Sequence, residues 1–375
     1  MKYLFINSVY GVRSTGKIIA DQCHKLQSEG HQCLVAYGRE TINDPSTKSV
    51  QIGTKIDYMT HAVLSRFFDL HGLCSKCATK KFLDLANEYS PDVVWLHNLH
   101  GYYINIELLF QWLKEHPQIQ VYWTLHDCWA FTGHCAYFTM VDCCKWKSGC
   151  GKCTQLKTYP KTYGIDFSKR NYKRKCKAFT GVLNMTLITP SQWLANLTRE
   201  SFLSEYSVKV MHNTVDNNIF KPTGSDFRQK YNLMDKYIVL GVAVGWENTK
   251  GLPDILEIRK KLSSKYIIIL VGATVAQIKA FPKGIIGITR TENSTELAKI
   301  YSASDVFVNP THQDNYPTVN LEAAACGTPV ITYNVGGSPE SVYPENVIEE
   351  NNIDKMVMRI IQICENKKIM SECDE

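Results

Sequence analysis

Short apolar runs alternate with helical stretches from one end of this chain to the other. In the first half, the runs are rich in β-branched and aromatic residues and lie at 3–8, 32–37, 92–97, 120–125, 186–189 and 208–212. Helical stretches lie between them, such as 15–29, which Gly30 ends. In the second half, the same order resumes with runs at 237–244, 266–271, 285–289, 305–309 and 329–333. Apolar strands that alternate with helices predict an α/β fold with parallel sheets.

Length and one polar segment divide the chain into two domains. A chain of 375 residues exceeds what one hydrophobic core usually holds. The turn-rich segment 214–224 is predicted to be the linker between a Rossmann-like domain over 1–213 and a second one over 225–352, followed by a helix and tail over 353–375. We expect two doubly wound domains facing a central cleft at the carboxyl ends of both sheets, where ligands bind in such folds.

Composition and charge exclude several classes of protein. The chain is 44% hydrophobic and 21% charged, as is typical of a globular enzyme, and its first residues read as a buried strand instead of an export signal. We therefore expect a cytoplasmic location. A net charge of +6 does not require a nucleic-acid partner, and we predict none. The basic run at 169–177 is either a solvated helix face or a surface for peripheral contact with the inner face of a membrane.

The segment 314–340 carries the clearest functional pattern. Two carboxylates, Asp314 and Glu322, lie around the start of a predicted helix and are suited to accept hydrogen bonds from sugar or ribose hydroxyls. A short strand follows, and then the pair Gly336-Gly337, whose backbone N–H groups can come close to a phosphate. Carboxylates for hydroxyls beside bare backbone for phosphates indicate a nucleotide-sugar site.

A glycine-rich turn after the first strand nearly spells a phosphate-binding P-loop. Gly11, Gly16 and Lys17 fit Gly-x-x-x-x-Gly-Lys-Ser/Thr, but Ile18 stands where the magnesium-binding hydroxyl belongs. The segment is therefore not predicted to hydrolyse nucleotides. Either it binds an anion at a helix N-terminus, or its glycines serve only the geometry of the turn.

Two further residues follow predicted strands. His126, next to Asp127, ends the strand at 120–125 and is either structural or a hydrogen-bond donor to a ligand hydroxyl. Lys250, next to Gly251, follows the first strand of the second half and can act as a phosphate clamp. Read alone, an exposed lysine near a helix cap explains Lys250 equally well.

Six of the fourteen cysteines crowd between residues 128 and 153. Four of them suffice for a structural zinc site, and we expect Cys135, Cys143, Cys150 and Cys153 as ligands, with Cys144 as a rival for Cys143. The alternative is a set of reduced, packed thiols in an ordered loop, since the spacing is irregular.

Taken together, these residues resemble those of retaining glycosyltransferases of family 4, which have the GT-B fold. The segment from Asp314 to Glu322 is similar to the family's Glu-x7-Glu motif, with aspartate in the first acidic position. The resemblance implies that Glu322 binds the nucleotide ribose and Asp314 the transferred sugar, while Gly336 and Gly337 approach the phosphates.

The resemblance extends to both halves of the chain. Lys250 matches the lysine of the family's Arg-x-x-x-Lys-Gly diphosphate clamp, but Trp246 stands at the arginine position, so half of that clamp is missing or supplied elsewhere. Gly16 matches the N-terminal glycine loop, and His126 the histidine near the reacting sugar. The stretch 126–153 is similar to a subgroup of bacterial polysaccharide-assembly transferases with a cysteine-rich insertion.

The reaction implied by this resemblance moves a sugar from a nucleoside-diphosphate donor, of UDP or GDP type, to a hydroxyl of a glycan or lipid-linked acceptor. The implied catalytic groups are His126, Asp314 and Lys250, and no cofactor is required because Lys250 and backbone N–H groups stabilise the leaving diphosphate. Two alternatives stay open: a sugar-nucleotide epimerase of the same fold, and a zinc-stabilised scaffold without activity, which the loss of arginine at Trp246 favours.

Overall fold

A computed structural model describes residues 1–373, with side chains up to residue 366. Contacts divide the chain into two compact units, Met1–His212 and a second that begins at Asn213. The segment 214–224, predicted to be a linker, belongs to the second unit because Phe220 is buried in its core. None of the helices in the described chain is long and apolar enough to cross a membrane.

The first unit is built on a seven-stranded parallel sheet, which confirms the predicted α/β class. Its strands are β1 (Lys2–Val9), β2 (Gln32–Glu40), β3 (Lys48–Gln51), β4 (Val93–Leu96), β5 (Gln120–Thr124), β6 (Met185–Thr189) and β7 (Ser207–Val210). They lie in the order β3-β2-β1-β4-β5-β6-β7. The helices are α1 (Arg13–Ser28), α2 (Lys55–Phe68), α3 (Lys76–Tyr89), α4 (Ile106–Glu115), α5 (Ser168–Phe179) and α6 (Gln192–Arg199).

The second unit repeats this plan with six parallel strands. They are β8 (Tyr237–Val242), β9 (Tyr266–Val271), β10 (Ile285–Ile288), β11 (Val306–Asn309), β12 (Val330–Tyr333) and β13 (Val347–Ile348), in the order β10-β9-β8-β11-β12-β13. The helices are α7 (Phe227–Lys230), α8 (Leu252–Lys261), α9 (Val275–Ala280), α10 (Ser294–Ala303), α11 (Thr318–Ala325) and α12 (Ile353–Cys373). Helix α12 packs on this unit, since Met356, Ile360 and Cys364 recur every fourth position and are buried in its core.

In each sheet, the order in which successive strands are added reverses at one point, and this point fixes where a ligand site forms. In the first sheet the strand order reverses between β1 and β4, and in the second between β8 and β11. Loops that leave the carboxyl ends of two such strands diverge and leave a crevice, which is where open α/β sheets bind ligands. We therefore expect a ligand site at the loops after β1 and β4 and at the loops after β8 and β11.

Candidate functional site

The loops after β8 and β11 bring Lys250 and Asp314 together. The Lys250 Nζ lies 2.7 Å from the Asp314 Oδ2, and the two side chains are 35% and 17% exposed. The loops dock closely because Gly251, at φ +72°, passes so near Pro310 that a Cβ would lie 2.1 Å from its carbonyl oxygen. A half-exposed lysine held by a carboxylate is a charge that an anionic ligand can reach.

The Gly336-Gly337 turn packs directly against Asp314. Gly336 has φ +59°, and a Cβ there would lie 2.0 Å from the Asp314 carbonyl oxygen. The Gly337 N–H points to the same oxygen at 3.4 Å. Four residues predicted from the sequence therefore meet at the switch point of the second sheet, and the glycine at 336 is a steric requirement.

Glu322, on α11, is positioned by a buried tyrosine. Its Oε2 accepts a hydrogen bond of 3.1 Å from the hydroxyl of Tyr301, whose side chain is fully buried. Burial, together with the nearby Glu322 carboxylate, raises the pKa of Tyr301 well above its usual value, so the hydroxyl remains a donor. The carboxylate is thus oriented by a buried donor.

Trp246, which stands at the arginine position of the family's diphosphate clamp, is a buried residue. Its side chain is 3% exposed and its Nε1–H donates to the Val271 carbonyl at 2.9 Å. A Cβ on Gly241 would lie 2.8 Å from its ring. Trp246 is a core residue beneath β8 and β9, so this position supplies no charge to a phosphate.

A partly buried cluster of ionisable groups around His312 was missed by the sequence analysis. The His312 Nε2 lies 2.8 Å from Asp254 Oδ2, and its Nδ1 lies 2.6 Å from Glu350 Oε1. The Tyr333 hydroxyl donates to the other oxygen of Asp254 at 3.0 Å. Hydrogen bonding to Asp254 and then to Glu350 raises the pKa of His312 above its usual value, although burial opposes this. The available signal was the position of His312, two residues before Asp314 on a loop that follows a strand.

In the first unit, the glycine turn after β1 is closed on itself. The Gly11 N–H donates to the Gly16 carbonyl at 2.9 Å, so this donor is already used. Helix α1 begins at Arg13, two residues earlier than predicted, which places Gly16 inside its first turn. A Cβ on Gly16 would lie 3.1 Å from the Gly11 nitrogen, so the glycine serves close packing of the turn. A contact of Gly16 with a donor stays a prediction.

His126 pairs with a histidine that the sequence analysis did not select. Its Nε2 lies 3.0 Å from the Nδ1 of His97, which follows β4, and the two rings stack at 5.3 Å. Burial lowers the pKa of His126 to about 4 and that of His97 well below its usual value, so both imidazoles are neutral at pH 7. Loops after adjacent strands therefore meet here as well.

Asp127 holds His100 instead of the adjacent His126. The Asp127 Oδ2 lies 2.9 Å from His100 Nε2, and its Oδ1 accepts the Trp129 N–H at 2.8 Å. The His100 Nδ1 lies 2.8 Å from the Tyr159 hydroxyl. His97 ends the predicted strand at 92–97 and His100 comes three residues later, so both could have been selected as His126 was, whereas Tyr159 carried no such signal.

The four predicted thiol ligands line one small pocket. Cys135, Cys143, Cys150 and Cys153 all face it, whereas the rival Cys144 is exposed and does not line it. The Gly133 N–H donates to the Cys150 sulphur at 3.1 Å. A hydrogen bond from Cys135 lowers the pKa of Cys153 to about 6. Among the side chains that the structure describes, residues 1–366, no three from His, Cys, Asp or Glu are arranged so that they could hold a metal ion.

The sequence of this chain is similar to those of known glycosyltransferases. Residues 225–375 match the family model "Glycosyl transferases group 1". The chain is 26% identical over 326 residues to the Escherichia coli protein named "Putative colanic acid biosynthesis glycosyl transferase WcaC", covering 78% of this chain and 72% of the relative.

Two solved structures show the same fold. The sucrose-phosphate synthase of Thermosynechococcus elongatus superposes with a TM-score of 0.71 at 16% identity, over 96% of this chain and 89% of the other. Anabaena HepE, solved in complex with UDP-glucose, gives a TM-score of 0.63 at 15% identity, over 98% and 91% of the two chains. The chain therefore has the fold of the GT-B glycosyltransferases and carries, over residues 225–375, a glycosyl transferases group 1 domain.

Proposed function

We propose that this protein is a retaining glycosyltransferase of the family-4 type that transfers a sugar from a nucleoside-diphosphate sugar to an acceptor hydroxyl during polysaccharide assembly. The observation that carries the proposal is the pairing of Lys250 with Asp314 against the Gly336-Gly337 turn, at the switch point of the domain that the family model matches. The name of the E. coli relative supports the polysaccharide context. A cytoplasmic location and a lipid-linked acceptor belong to the same proposal.

The donor proposed for this site is a UDP- or GDP-sugar. HepE, which shares the fold, has been solved with UDP-glucose, and this supports the UDP type. Lys250 would contact the diphosphate and give its charge to the leaving group, as electrostatic stabilisation of a developing anion requires. Glu322, fixed by Tyr301, would accept hydrogen bonds from the ribose, and Asp314 from the transferred sugar.

The acceptor is assigned to the first unit. His126 and His97 are neutral, and the chain Asp127–His100–Tyr159 presents a phenol oxygen at its end. A carboxylate oxygen only accepts, so the His100 Nε2 carries the proton, and its Nδ1 accepts the Tyr159 hydroxyl. The Tyr159 oxygen then has lone pairs for a hydroxyl of the acceptor, which makes Tyr159 a positioning group beside His126.

Structural zinc remains part of the proposal, with packed reduced thiols as its alternative. The donor set of four thiols suits zinc, and all four line one pocket, but the described side chains are not arranged to hold an ion. Metal analysis of purified protein decides between the two. Loss of zinc in Cys143→Ser but not in the exposed Cys144→Ser supports the site, and protein purified without zinc contradicts it.

Transfer is tested with a panel of UDP- and GDP-sugars and lipid-linked acceptors, by nucleoside diphosphate release and product mass. We expect a sugar-dependent product that Glu322→Ala abolishes and that Glu345→Ala, which removes an exposed carboxylate of the same unit, leaves intact. Isomerisation of the donor without transfer would identify an epimerase. A wild-type protein that binds no donor would support the scaffold alternative.

A further inference from the structure

Helix α2 exposes its apolar side chains and buries polar ones, the opposite of an ordinary surface helix. Its buried side chains are the polar His61 and Ser65, whereas large apolar side chains face solvent. The exposed apolar residues of α2 are Ile56 at 76%, Met59 at 55%, Val63 at 53%, Phe67 at 56% and Phe68 at 47%. A surface helix normally buries its apolar stripe, so an exposed stripe indicates a surface that is covered by a partner.

The orientation of α2 is fixed by the protein itself. Thr54 and Asp57 form a capping box at the N-terminus of the helix. Inside, the His61 Nδ1 lies 2.8 Å from the Ser75 hydroxyl and its Nε2 lies 3.3 Å from the Leu70 carbonyl. Turning the helix over would break both hydrogen bonds of His61. These bonds therefore hold the apolar stripe outward.

A second segment extends this apolar surface. The Tyr163 N–H donates to the Arg66 carbonyl at 2.7 Å, and Gly164 comes so close to α2 that a Cβ would lie 1.8 Å from the Phe67 carbonyl oxygen. Tyr163 and Ile165 flank this glycine and are 65% and 58% exposed. The α2 face is defined here as Ile56, Met59, Val63, Phe67, Phe68, Tyr163 and Ile165.

The charges around the α2 face are predominantly cationic. Lys55 and Arg66 lie on α2 itself, Lys161 lies two residues before Tyr163, Lys169 lies four residues after Ile165, and all four are exposed. Two acids lie near it, and both are partly buried and keep their charge: Asp57 accepts from Thr54 in the capping box, and Asp166 accepts the N–H groups of Cys153 and Ser168. The exposed cations outnumber these two carboxylates. An apolar face with a cationic rim is the arrangement that interfacial helices present to anionic bilayers.

We infer that the α2 face docks the protein on the surface of a bilayer that contains anionic lipid. Two copies docked through this face would set like charges against each other, which disfavours self-association. The surface shares only Lys169 with the basic run at 169–177, in which Lys175 is buried and Arg174 is paired with Glu107. The inference goes beyond the proposed transfer reaction, because docking requires neither donor nor acceptor.

The test is co-sedimentation of the full chain with vesicles of phosphatidylcholine, with and without phosphatidylglycerol. We expect the double variant Val63→Glu/Phe67→Glu to bind at least about tenfold more weakly, since each apolar side chain removed from a bilayer costs about that much. Both positions are more than half exposed, so folding is spared. Leu183→Glu, at a residue 81% exposed elsewhere on this unit, is the matched control and should bind like the wild type.

Charge is tested separately with Lys161→Glu. Binding to vesicles with phosphatidylglycerol should fall about fivefold and become less sensitive to salt, while binding to pure phosphatidylcholine stays weak. Affinity for UDP and for GDP, measured in the same preparations, distinguishes the two ideas: vesicle binding without binding of either nucleotide would refute the proposed function alone. The inference would be overturned if the wild-type protein did not bind vesicles. It would also be overturned if the protein were a dimer in solution that Val63→Glu/Phe67→Glu dissociates.

Discussion

Gly336→Ala tests whether the turn at 336–337 shapes the donor site. The added Cβ would start 2.0 Å from the Asp314 carbonyl oxygen. A tolerable carbon–oxygen contact is about 3.3 Å, so the turn or Asp314 must move by about 1.3 Å. The backbone at φ +59° also costs about 1 kcal/mol once a side chain is present. A displacement of about 1 Å at a reacting centre lowers a rate by about 100-fold, and we expect that loss in kcat/KM for the donor.

Gly181→Ala isolates the backbone contribution. Gly181 has φ +78° with no atom within 4 Å of the added Cβ, so it carries the same strain without the clash. Gly181→Ala should lose only the small amount of thermal stability that the backbone strain costs, Gly336→Ala should lose more because of the clash, and nucleoside diphosphate release should fall only in Gly336→Ala. If Gly336→Ala releases product within about threefold of the wild type, the turn does not shape the donor site and the reasoning fails.

Three further variants test groups that position the two sites. The hydrogen bond to Asp254 raises the pKa of His312 above 6.5, so the pairing stabilises the fold fully below that pH and less as pH rises through the folded pKa. Thermal unfolding measured upward from about pH 6 should show this loss of stability, and His312→Gln should make the unfolding temperature less dependent on pH. Tyr301→Phe removes the donor to Glu322 and should weaken UDP affinity by about tenfold in titration calorimetry, the size of one hydrogen bond to a charged group. Tyr159→Phe should raise the acceptor KM by about tenfold and leave UDP affinity unchanged; an equal effect on both would refute its assignment to the acceptor.

The strands and the positions of Lys250 and Asp314 after two of them could be predicted because their signals are local. Parallel strands buried on both faces read as continuous apolar runs, and a residue that follows such a run lies at the carboxyl edge of the sheet. Lys250 was found this way and Asp314 by its place just before a predicted helix, and their 2.7 Å contact follows from β8 and β11 being neighbours in the sheet. The short strand β3 gave no such signal, since none of its residues is buried.

The rest depends on contacts between distant residues, which periodicity cannot supply. His312 gains its role from Asp254, 58 positions earlier, and Tyr159 gains its role from His100, 59 positions earlier. The inversion of α2 is also hidden, because a period of 3.6 residues identifies an apolar stripe without saying which way it faces. Only the bonds made by His61 decide that question.

The two units place different charges at the same point of the fold, the place where the strand order reverses. In the second, the loops after β8 and β11 present the ammonium group of Lys250, which suits the phosphates of a nucleotide. In the first, the loops after β4 and β5 present His97 and His126, whose pKa values burial lowers until both rings are neutral. Neutral imidazoles exchange hydrogen bonds with hydroxyls but do not compete with a lysine for a diphosphate. This difference in charge is the physical reason to assign the donor to the second unit and the hydroxyl-bearing acceptor to the first.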